Sequence, residues 1–379
     1  MLCRRKLFLP STLLAFSLSA ILASASRAKD VEPLAIGSAA PELNLPGVDG
    51  KTYKLADFAR AKVLVVIFTC NHCPTAQAYE ERIARLAADY RDKGLALVAV
   101  SPNDPLAVRL DELGYTDIGD SFDDMKLHAK RRGFTFPYLY DGETQRVSTA
   151  YGVLATPHVF VFDADRKLRY NGRIDDSETN PPKSHDARNA IEDVLAGRPV
   201  AFPTTRVFGC STKWADKRDS ARESIEKWNR EPVALKEIDE ASLRELAANK
   251  TEKYRLINLW STTCAPCISE LSEFVTINRM YRGRHFEMYS LSIDSPDRKA
   301  DSLKLLEKHH VSFTNHIFST DERDKLAEAL DPEWSGPVPY SILIAPGGKI
   351  VRRWKDEIDP AKLKAEISDL LGRTYASRK

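Results

Sequence analysis

Two Cys-x-x-Cys motifs, each placed between an apolar run and a helical pattern, constrain the fold of this chain more than any other feature of its sequence. The order is the same in both places: KVLVVIFT at 62–69 leads to CNHC at 70–73, and YRLINLW at 254–260 leads to CAPC at 264–267. Short β-branched apolar runs predict buried strands. The residues after each motif have a helical pattern, which predicts helices ending near residues 90 and 281. We therefore expect each motif where a strand passes into a helix.

The segments downstream of the two motifs also repeat. A second apolar run follows each predicted helix, LALVAVS at 95–101 and FEMYSLSI at 286–293, and completes a strand–helix–strand unit. Further on, a proline enters an apolar strand in both halves, as Thr156-Pro157 and as Val338-Pro339. Proline is disfavoured there, so its recurrence indicates a constrained turn, with a cis peptide bond as one option that the sequence leaves open. The predicted fold class is α/β, with two central β-sheets, each flanked by helices.

The repeated pattern also sets the expected domain boundaries. A chain of 379 residues suits two domains of ordinary size. Pro199, Pro203 and Pro232 bracket a polar stretch between the two halves. The predicted organisation is a signal peptide (1–28), a first domain with CNHC (35–197), a linker that contains Cys210 (198–232) and a second domain with CAPC (233–375).

The N-terminus has the pattern of a secretory signal peptide. Arg4, Arg5 and Lys6 precede an apolar stretch at 7–22, and small residues up to Ala28 offer cleavage sites. The alternative is an uncleaved membrane anchor, because the apolar stretch approaches the length needed to span a bilayer. We therefore expect a periplasmic or secreted protein, with a membrane-anchored form as the alternative.

Charge and cysteine content argue against several classes of protein. The formal net charge is +2, which gives no electrostatic case for binding DNA or any other nucleic acid, or an anionic membrane surface. Six cysteines are too few for a secreted disulfide scaffold in a chain of this length. A Cys-x-x-Cys disulfide also closes too small a loop to stabilise a fold much. The two motifs therefore point to redox chemistry.

A cysteine at the start of a helix has the chemistry that thiol–disulfide exchange needs. Backbone N–H groups and the helix dipole favour a thiolate there, and a second cysteine three residues on can resolve the mixed disulfide. Cys70 and Cys264 are the predicted nucleophiles, with Cys73 and Cys267 as their resolving partners. Cys210 is a candidate third redox thiol that reaches the CNHC site from the linker; a buried free thiol and an intermolecular partner are the other interpretations.

These motifs resemble those of the thioredoxin superfamily, through CNHC with Thr156-Pro157 and CAPC with Val338-Pro339. VIFTCNHCPTAQAYEERI is similar to the AhpC/TSA-related redoxins, and LINLWSTTCAPCISEL is similar to the TlpA/ResA-type thiol–disulfide oxidoreductases. The resemblance covers about residues 35–195 and 235–375 and implies two tandem thioredoxin-like domains. It also implies that the residues of the two proline pairs line the substrate grooves: Thr156, Pro157, Val338 and Pro339.

The resemblance assigns supporting roles to two further residues. Glu270, three residues after Cys267, matches an acidic position that lies near the cysteines of ResA-like proteins and tunes them. Ala76 stands at that place in the first half, so the first site must be tuned differently. His72 occupies the position of the histidine in the CxHC motifs of DsbA and the disulfide isomerases. A protonated imidazole there stabilises the thiolate and makes the disulfide more oxidising, so we expect the first pair to be the stronger oxidant.

The sequence thus predicts a thiol–disulfide oxidoreductase that acts outside the cytoplasm and needs no cofactor, because its cysteines carry the two electrons. Its expected partners are protein thiols and disulfides, and a membrane or periplasmic redox protein that resets the pairs. The direction of exchange and the oligomeric state stay open.

Two alternatives remain. One is a thiol peroxidase, although peroxiredoxins place a threonine three residues before the attacking cysteine and here Cys70 precedes Cys73 at that distance. The other is a copper- or zinc-binding redox protein, because Cys70, His72 and Cys73 offer soft ligands. The sequence predicts no defined metal site.

Overall fold

The computed structural model describes residues 31–375. The signal peptide predicted at 1–28 lies outside the described residues. Within residues 31–375, no helix combines the length and the apolar character needed to cross a membrane.

The two halves of the chain contain similar series of strands and helices. In the first half the elements are strands β1 (Asn44–Pro46), β2 (Thr52–Lys54), β3 (Val63–Phe68), β4 (Leu95–Ser101), β5 (Tyr138–Tyr140), β6 (Ala155–Thr156), β7 (His158–Phe162) and β8 (Leu168–Gly172), and helices α1 (Pro74–Tyr90), α2 (Phe122–Arg132), α3 (Arg146–Tyr151) and α4 (Asp186–Leu195). Between the halves lie β9 (Cys210–Ser211) and α5 (Arg218–Asn229). In the second half they are strands β10 (Leu235–Ile238), β11 (Tyr254–Trp260), β12 (Phe286–Ser292), β13 (Thr314–Phe318), β14 (Tyr340–Ile344) and β15 (Ile350–Trp354), and helices α6 (Glu240–Ala248), α7 (Ala265–Tyr281), α8 (Lys299–Lys308), α9 (Arg323–Leu330) and α10 (Pro360–Leu371).

β3 is the central strand of a five-stranded sheet with the order β5-β4-β3-β7-β8. It runs parallel to β4 and antiparallel to β7. Alternate side chains face the two sides of the sheet: Val65 and Ile67 pack with helices α1 and α4, and Leu64 and Val66 pack with α3 on the other side. A strand that is covered on both faces has no polar side, which explains its uninterrupted apolar sequence.

β11 holds the corresponding place in a six-stranded sheet with the order β10-β13-β12-β11-β14-β15. It runs parallel to β12 and antiparallel to β14. Its Leu256 packs with helices α7 and α10, and its Ile257 and Leu259 pack with α6 and α9. The predicted α/β fold, with two central sheets flanked by helices, is confirmed.

The segment 102–121, which connects β4 to α2, contacts the second half of the chain; we call it the bridging segment. The hydroxyl of Tyr281 donates a hydrogen bond to the carbonyl of Thr116 at 2.8 Å. Arg373 forms an ion pair with the buried Asp117 at 2.6 Å. The two halves are therefore joined by side chains as well as by the chain itself.

Part of the predicted linker is anchored on the first half of the chain. We call residues 203–214 the strap. At its upstream end, the N–H of Asn171 in β8 donates to the carbonyl of Pro203 at 3.0 Å. At its downstream end, the N–H of Lys213 donates to Oδ1 of Asn103 at 2.9 Å. The strap is thus fixed at one end to the sheet and at the other to the bridging segment.

Candidate redox sites

The CNHC motif occupies the turn between β3 and α1. Cys73 caps α1, and its Sγ accepts a hydrogen bond from the N–H of Ala76 at 3.5 Å. Pro74 is the first residue of the helix, a position where the missing N–H costs nothing because the first N–H groups have no partner within the helix. Cys70 and Cys73 have exposed fractions of only 2% and 0%. Neither residue offers its sulfur to a large molecule in this state.

The peptide bond between Thr156 and Pro157 is cis and lies against this motif. Oγ1 of Thr156 is 3.1 Å from Sγ of Cys70, and the Thr156 carbonyl oxygen is 3.5 Å from Sγ of Cys73. The structure therefore brings together the cysteines and the threonine–proline pair that the resemblance placed in the substrate groove. The bond between Val338 and Pro339 is cis as well, so the isomer that the sequence left open is the same in both halves.

The strap carries a third cysteine into the first site. Cys73 forms a disulfide with Cys210, and Cys70 is a buried free thiol. The course of the strap explains the pairing: β9 runs antiparallel to β6, with Cys210 opposite Thr156, and the Cα atoms of Cys73 and Cys210 are 5.9 Å apart. Cys210 is partly exposed. Where the motif led us to expect Cys70 and Cys73 as a pair, the structure contains three cysteines and joins the second to the third.

His72 and Asp120 form a buried ion pair at the same site, with 2.6 Å between Nδ1 and Oδ2. Asp120 belongs to the bridging segment, and its Oδ1 also accepts hydrogen bonds from the N–H groups of Asn71 (2.9 Å) and His72 (3.2 Å). Burial opposes a charged imidazole, but Asp120 and Cys70 outweigh it and raise the pKa of His72 well above its ordinary value. Burial likewise opposes a charged Asp120, yet His72 and the hydrogen bonds lower the pKa of that carboxyl. The site therefore holds a charged histidine that interacts with Cys70.

The sequence motifs did not point to Asp120 or to Asn103. Asn103 in fact donates from Nδ2 to Oδ2 of Asp120 at 2.7 Å. Asp120 lies 48 residues from His72 in the sequence, so no motif spacing links them. The only signal for Asp120 was chemical, because a buried, charged histidine needs a buried polar or acidic side chain as its partner.

The ligand atoms of Cys70, His72 and Asp120 lie within 4.8 Å of one another, which makes them the one candidate metal-binding group among the described residues. However, the Asp120 oxygens already have four hydrogen-bonding contacts, to Asn71, His72 and Asn103. The nearby sulfur of Cys73 is bonded to that of Cys210. Structural zinc takes four ligands, and this group offers three. The arrangement is better suited to orienting His72 beside a thiol.

The CAPC motif occupies the corresponding turn between β11 and α7. Cys264 caps α7, its Sγ accepts a hydrogen bond from the N–H of Cys267 at 3.2 Å, and the two cysteines form a disulfide. Cys267 is fully buried, whereas Cys264 is partly exposed. Cys264 and Val338 pack against the same apolar cluster, which includes Cys267. The structure therefore pairs the two cysteines of this motif and brings Val338, the residue before the cis proline, to the same cluster; a substrate groove at this place stays a prediction.

Glu270 is buried on α7, three residues after Cys267, and therefore on the same face of the helix. Its Oε1 accepts a hydrogen bond from the N–H of Ile358 at 2.5 Å, and no hydrogen-bond partner for its Oε2 is present among the described residues. Burial raises the pKa of Glu270 to about 7. The hydrogen bond from Ile358 opposes this rise, and the charge of Glu357 adds to it. In the first site Ala76 stands at this place, fully buried, and the ionisable side chains beside the motif are those of the His72–Asp120 ion pair instead.

The chain is similar to several known proteins. Both halves match the model of the AhpC/TSA family, over residues 36–171 and 230–353. Thiol-disulfide oxidoreductase ResA from Geobacillus thermodenitrificans (strain NG80-2) is 25% identical over 161 residues, which is 42% of this chain and 79% of that protein. The structure of an uncharacterized conserved protein from Geobacillus kaustophilus is 38% identical and covers 48% of this chain and 92% of its own, with a TM-score of 0.43. That of a hypothetical protein from Sinorhizobium meliloti 1021 is 33% identical and covers 48% and 97%, with a TM-score of 0.44.

The family match extends over both sheets, and the similar proteins include a named thiol-disulfide oxidoreductase. The predictions of two tandem thioredoxin-like domains and of an oxidoreductase are confirmed. The chain belongs to the AhpC/TSA family.

Proposed function

We propose that this protein is an extracytoplasmic thiol–disulfide oxidoreductase that exchanges dithiols and disulfides with protein substrates through its two Cys-x-x-Cys sites. The observation that carries the proposal is the second site. Its disulfide lies at the start of α7, with Cys264 partly exposed, Cys267 buried and a cis proline at position 339. This is the arrangement in which an external thiolate reaches one sulfur only.

Exchange at the second site then follows a definite order. A substrate thiolate attacks Sγ of Cys264, the mixed disulfide forms, and Cys267 leaves as a thiolate. Glu270 is placed on the same helix face, and its pKa, raised to about 7, lies close to neutral pH. It is therefore suited to supply a proton to Cys267 as that cysteine leaves and to accept one when the disulfide forms again.

The first site is proposed to be the stronger oxidant. A charged His72, held by Asp120, favours a thiolate at Cys70 and so favours the reduced form of the site. The second site has no histidine in its motif and has a protonatable carboxyl instead. A membrane or periplasmic redox protein is the proposed partner that resets the two sites.

The decisive experiment equilibrates the full chain against glutathione or dithiothreitol buffers and identifies each alkylated cysteine by mass spectrometry. We expect two reversible two-electron couples, with the first site at the higher potential; about 30 mV corresponds to a tenfold difference in equilibrium constant. In an insulin-reduction assay, Cys264→Ser should lower the rate at least tenfold. Ser269→Ala, an exposed serine in the first turn of α7, is the matched control and should have little effect.

Three results would count against the proposal. If neither pair cycled reversibly, exchange chemistry would be wrong for this chain. If the protein consumed hydrogen peroxide much faster than it reduced insulin, the thiol peroxidase alternative would replace it. Extracytoplasmic location is tested separately by fusing residues 1–35 to a reporter that is active only after export, and an inactive fusion would contradict that part.

A further inference from the structure

The strap occupies the edge of the first site that a substrate would need. The residue before the cis proline, Thr156, has its strand edge paired with Cys210 in the β6–β9 ladder. An incoming peptide cannot pair with the same edge while the strap is present. The first site is therefore closed to protein substrates on this side, although it belongs to an exchange enzyme.

The fit of the strap is specific at Gly209. A Cβ atom at this position would lie 2.1 Å from the carbonyl oxygen of Thr156. The backbone φ is +145°, a value that residues other than glycine rarely adopt. Next to it, Phe208 packs against Tyr79 of α1, with ring centroids 6.1 Å apart. Thr212, on the other side, is buried and its hydroxyl donates to the carbonyl of Val153 at 3.5 Å. The residues on both sides of Cys210 hold it in place.

The three cysteines of the first site differ in their access to solvent. Cys70 and Cys73 are buried, and Cys210 is the partly exposed member. Within the Cys73–Cys210 disulfide only Cys210 is partly exposed, so a thiolate from outside approaches this bond from the Cys210 side. This inverts the order that the motif suggests, in which the first cysteine of CNHC faces the substrate.

We propose that Cys210 is the residue through which the first site exchanges with protein thiols, and that Cys70 exchanges only within the protein, with Cys73. In the outward step, a substrate thiolate attacks Sγ of Cys210. The bond between the substrate and Cys210 forms, the Cys73–Cys210 bond breaks, and Cys73 leaves as a thiolate. A second substrate thiolate then attacks the substrate sulfur of the mixed disulfide and releases Cys210 as a thiolate. The substrate loses two electrons and two protons, and the site gains them as the thiols of Cys73 and Cys210.

The inward step moves no net electrons. Cys70, as a thiolate, attacks Sγ of Cys73; the Cys70–Cys73 bond forms and Cys210 leaves as a thiolate that takes a proton from solvent. The charged His72 has a ring nitrogen within 4.8 Å of the Cys70 sulfur that makes the attack. The hydroxyl of Thr156 lies 3.1 Å from the Cys70 sulfur and is placed to donate to it. This step frees the Cys210 sulfur from its bond to Cys73 without reducing the site.

The proposal rests on the proposed function, so its test uses the full chain with the second site silenced by Cys264→Ser and Cys267→Ser. The oxidised protein is treated with an excess of a twelve-residue peptide that contains one cysteine, quenched with acid, and alkylated. Mass spectrometry then locates the peptide. We expect it on Cys210, and we expect Cys70→Ser to form the adduct at a rate within about twofold of the parent. Cys210→Ser should form it at least tenfold more slowly, whereas Ser211→Ala, its neighbour in the ladder, should behave as the parent does.

The inward step has its own readout. Iodoacetamide should slowly label Cys210 in the oxidised parent protein, because exchange with Cys70 releases it, and should not label Cys210 when Cys70→Ser is present. An adduct on Cys70, or loss of the adduct in Cys70→Ser, would overturn the proposal even if Cys210→Ser failed to fold. Failure of the proposed function looks different. It requires that the CAPC site of a Cys70→Ser, Cys73→Ser, Cys210→Ser variant also fails to cycle.

Discussion

Nδ1 of His72 lies 2.6 Å from Oδ2 of Asp120, and both side chains are almost completely removed from solvent. An isolated buried charge is costly, but this pair is supported by the N–H groups of Asn71 and His72 and by the amide of Asn103. The charge on His72 therefore depends on Asp120.

The first prediction concerns that dependence. Asp120→Asn removes the larger of the two contributions that offset the burial of His72 and leaves only that of Cys70, so the pKa of His72 should fall from its raised value. Histidine carbon-13 NMR measures this directly, and the alkylation rate of Cys70 near pH 6.5 should fall in parallel. Asp175→Asn, at a buried carboxylate bonded to Arg82 and Tyr79, is the control for loss of a buried charge. An unchanged His72 titration in Asp120→Asn would contradict the assignment.

The pair also predicts a pH dependence of stability. The raised pKa of His72 contributes stability that is fully present below 6.5 and is lost as the pH rises through the raised value. The lowered pKa of Asp120 contributes stability that is present above 3.8 and is lost as the pH falls through the lowered value. The difference in unfolding free energy between the wild type and Asp120→Asn should therefore be largest between about pH 4 and 6.5, about 3–5 kcal/mol for a broken buried pair.

The second prediction concerns Glu270. Because its pKa is raised from 4.5 to about 7, its protonated form is favoured by folding, and that stability is present below pH 4.5 and lost as the pH rises to 7. Glu270→Gln should remove this loss. Between pH 5 and 8 the free energy of unfolding of the variant should therefore rise relative to that of the wild type, by roughly 3 kcal/mol at most. The rate of exchange at the second site should show an inflection near pH 7 in the wild type and none in the variant. An inflection retained in Glu270→Gln would assign it to another group.

The third prediction compares the two disulfides. Cys73 and Cys210 are 137 residues apart in the sequence, whereas Cys264 and Cys267 are three apart. A long closed loop restricts the unfolded chain much more than a short one, by about 4–5 kcal/mol for a loop near 100 residues. Under oxidising conditions, Cys210→Ser should therefore lower the guanidinium midpoint of the first domain clearly, and Cys267→Ser should have a small effect on the second. Equal effects of the two variants would refute this account.

The fourth prediction concerns the contact between Gly209 of the strap and Thr156 of β6. Gly209→Ala places a methyl group against the Thr156 carbonyl, with backbone in a region unfavourable for alanine, so the strap should detach from β6. We expect Cys73 to become available to alkylation after mild reduction at least several times faster than in the wild type. Gly197→Ala is the matched control, since that glycine also has positive φ but open space around its Cα. If both variants behaved alike, backbone strain and not the close approach would be the cause.

The sequence was a good guide wherever the structure depends on local patterns. The apolar runs 95–101 and 254–260 are β4 and β11 without a change of boundary, and the helices after the two motifs end at Tyr90 and Tyr281, as expected. Such runs are covered on both faces of a sheet, so burial alone determines them. The recurrent prolines at 157 and 339 also indicated constrained turns, because proline lacks the N–H group that a strand residue donates to its neighbour.

The rest of the first site depends on contacts between distant segments, which no local pattern encodes. Asp120 is held by its four hydrogen-bonding contacts, and those form only after the bridging segment has folded over the motif. The pairing of Cys210 depends on the ladder between β6 and β9, which contains two residues in each strand. Two residues are too few to give a strand signal in the sequence. Gly209, next to Cys210, is the sequence feature that reflects the close approach of the strap to the Thr156 carbonyl.

The position of the strap has a consequence for dividing this chain into pieces. The first family match ends at residue 171 and the second begins at 230, so Cys210 lies in neither matched region. A fragment cut at the apparent end of the first domain would keep CNHC but lose the cysteine to which Cys73 is bonded. It would also lose Arg218 of α5, which pairs with Asp104 of the bridging segment. A piece that keeps the Cys73–Cys210 bond and the Arg218–Asp104 ion pair must therefore extend well beyond the first family match, at least to residue 218.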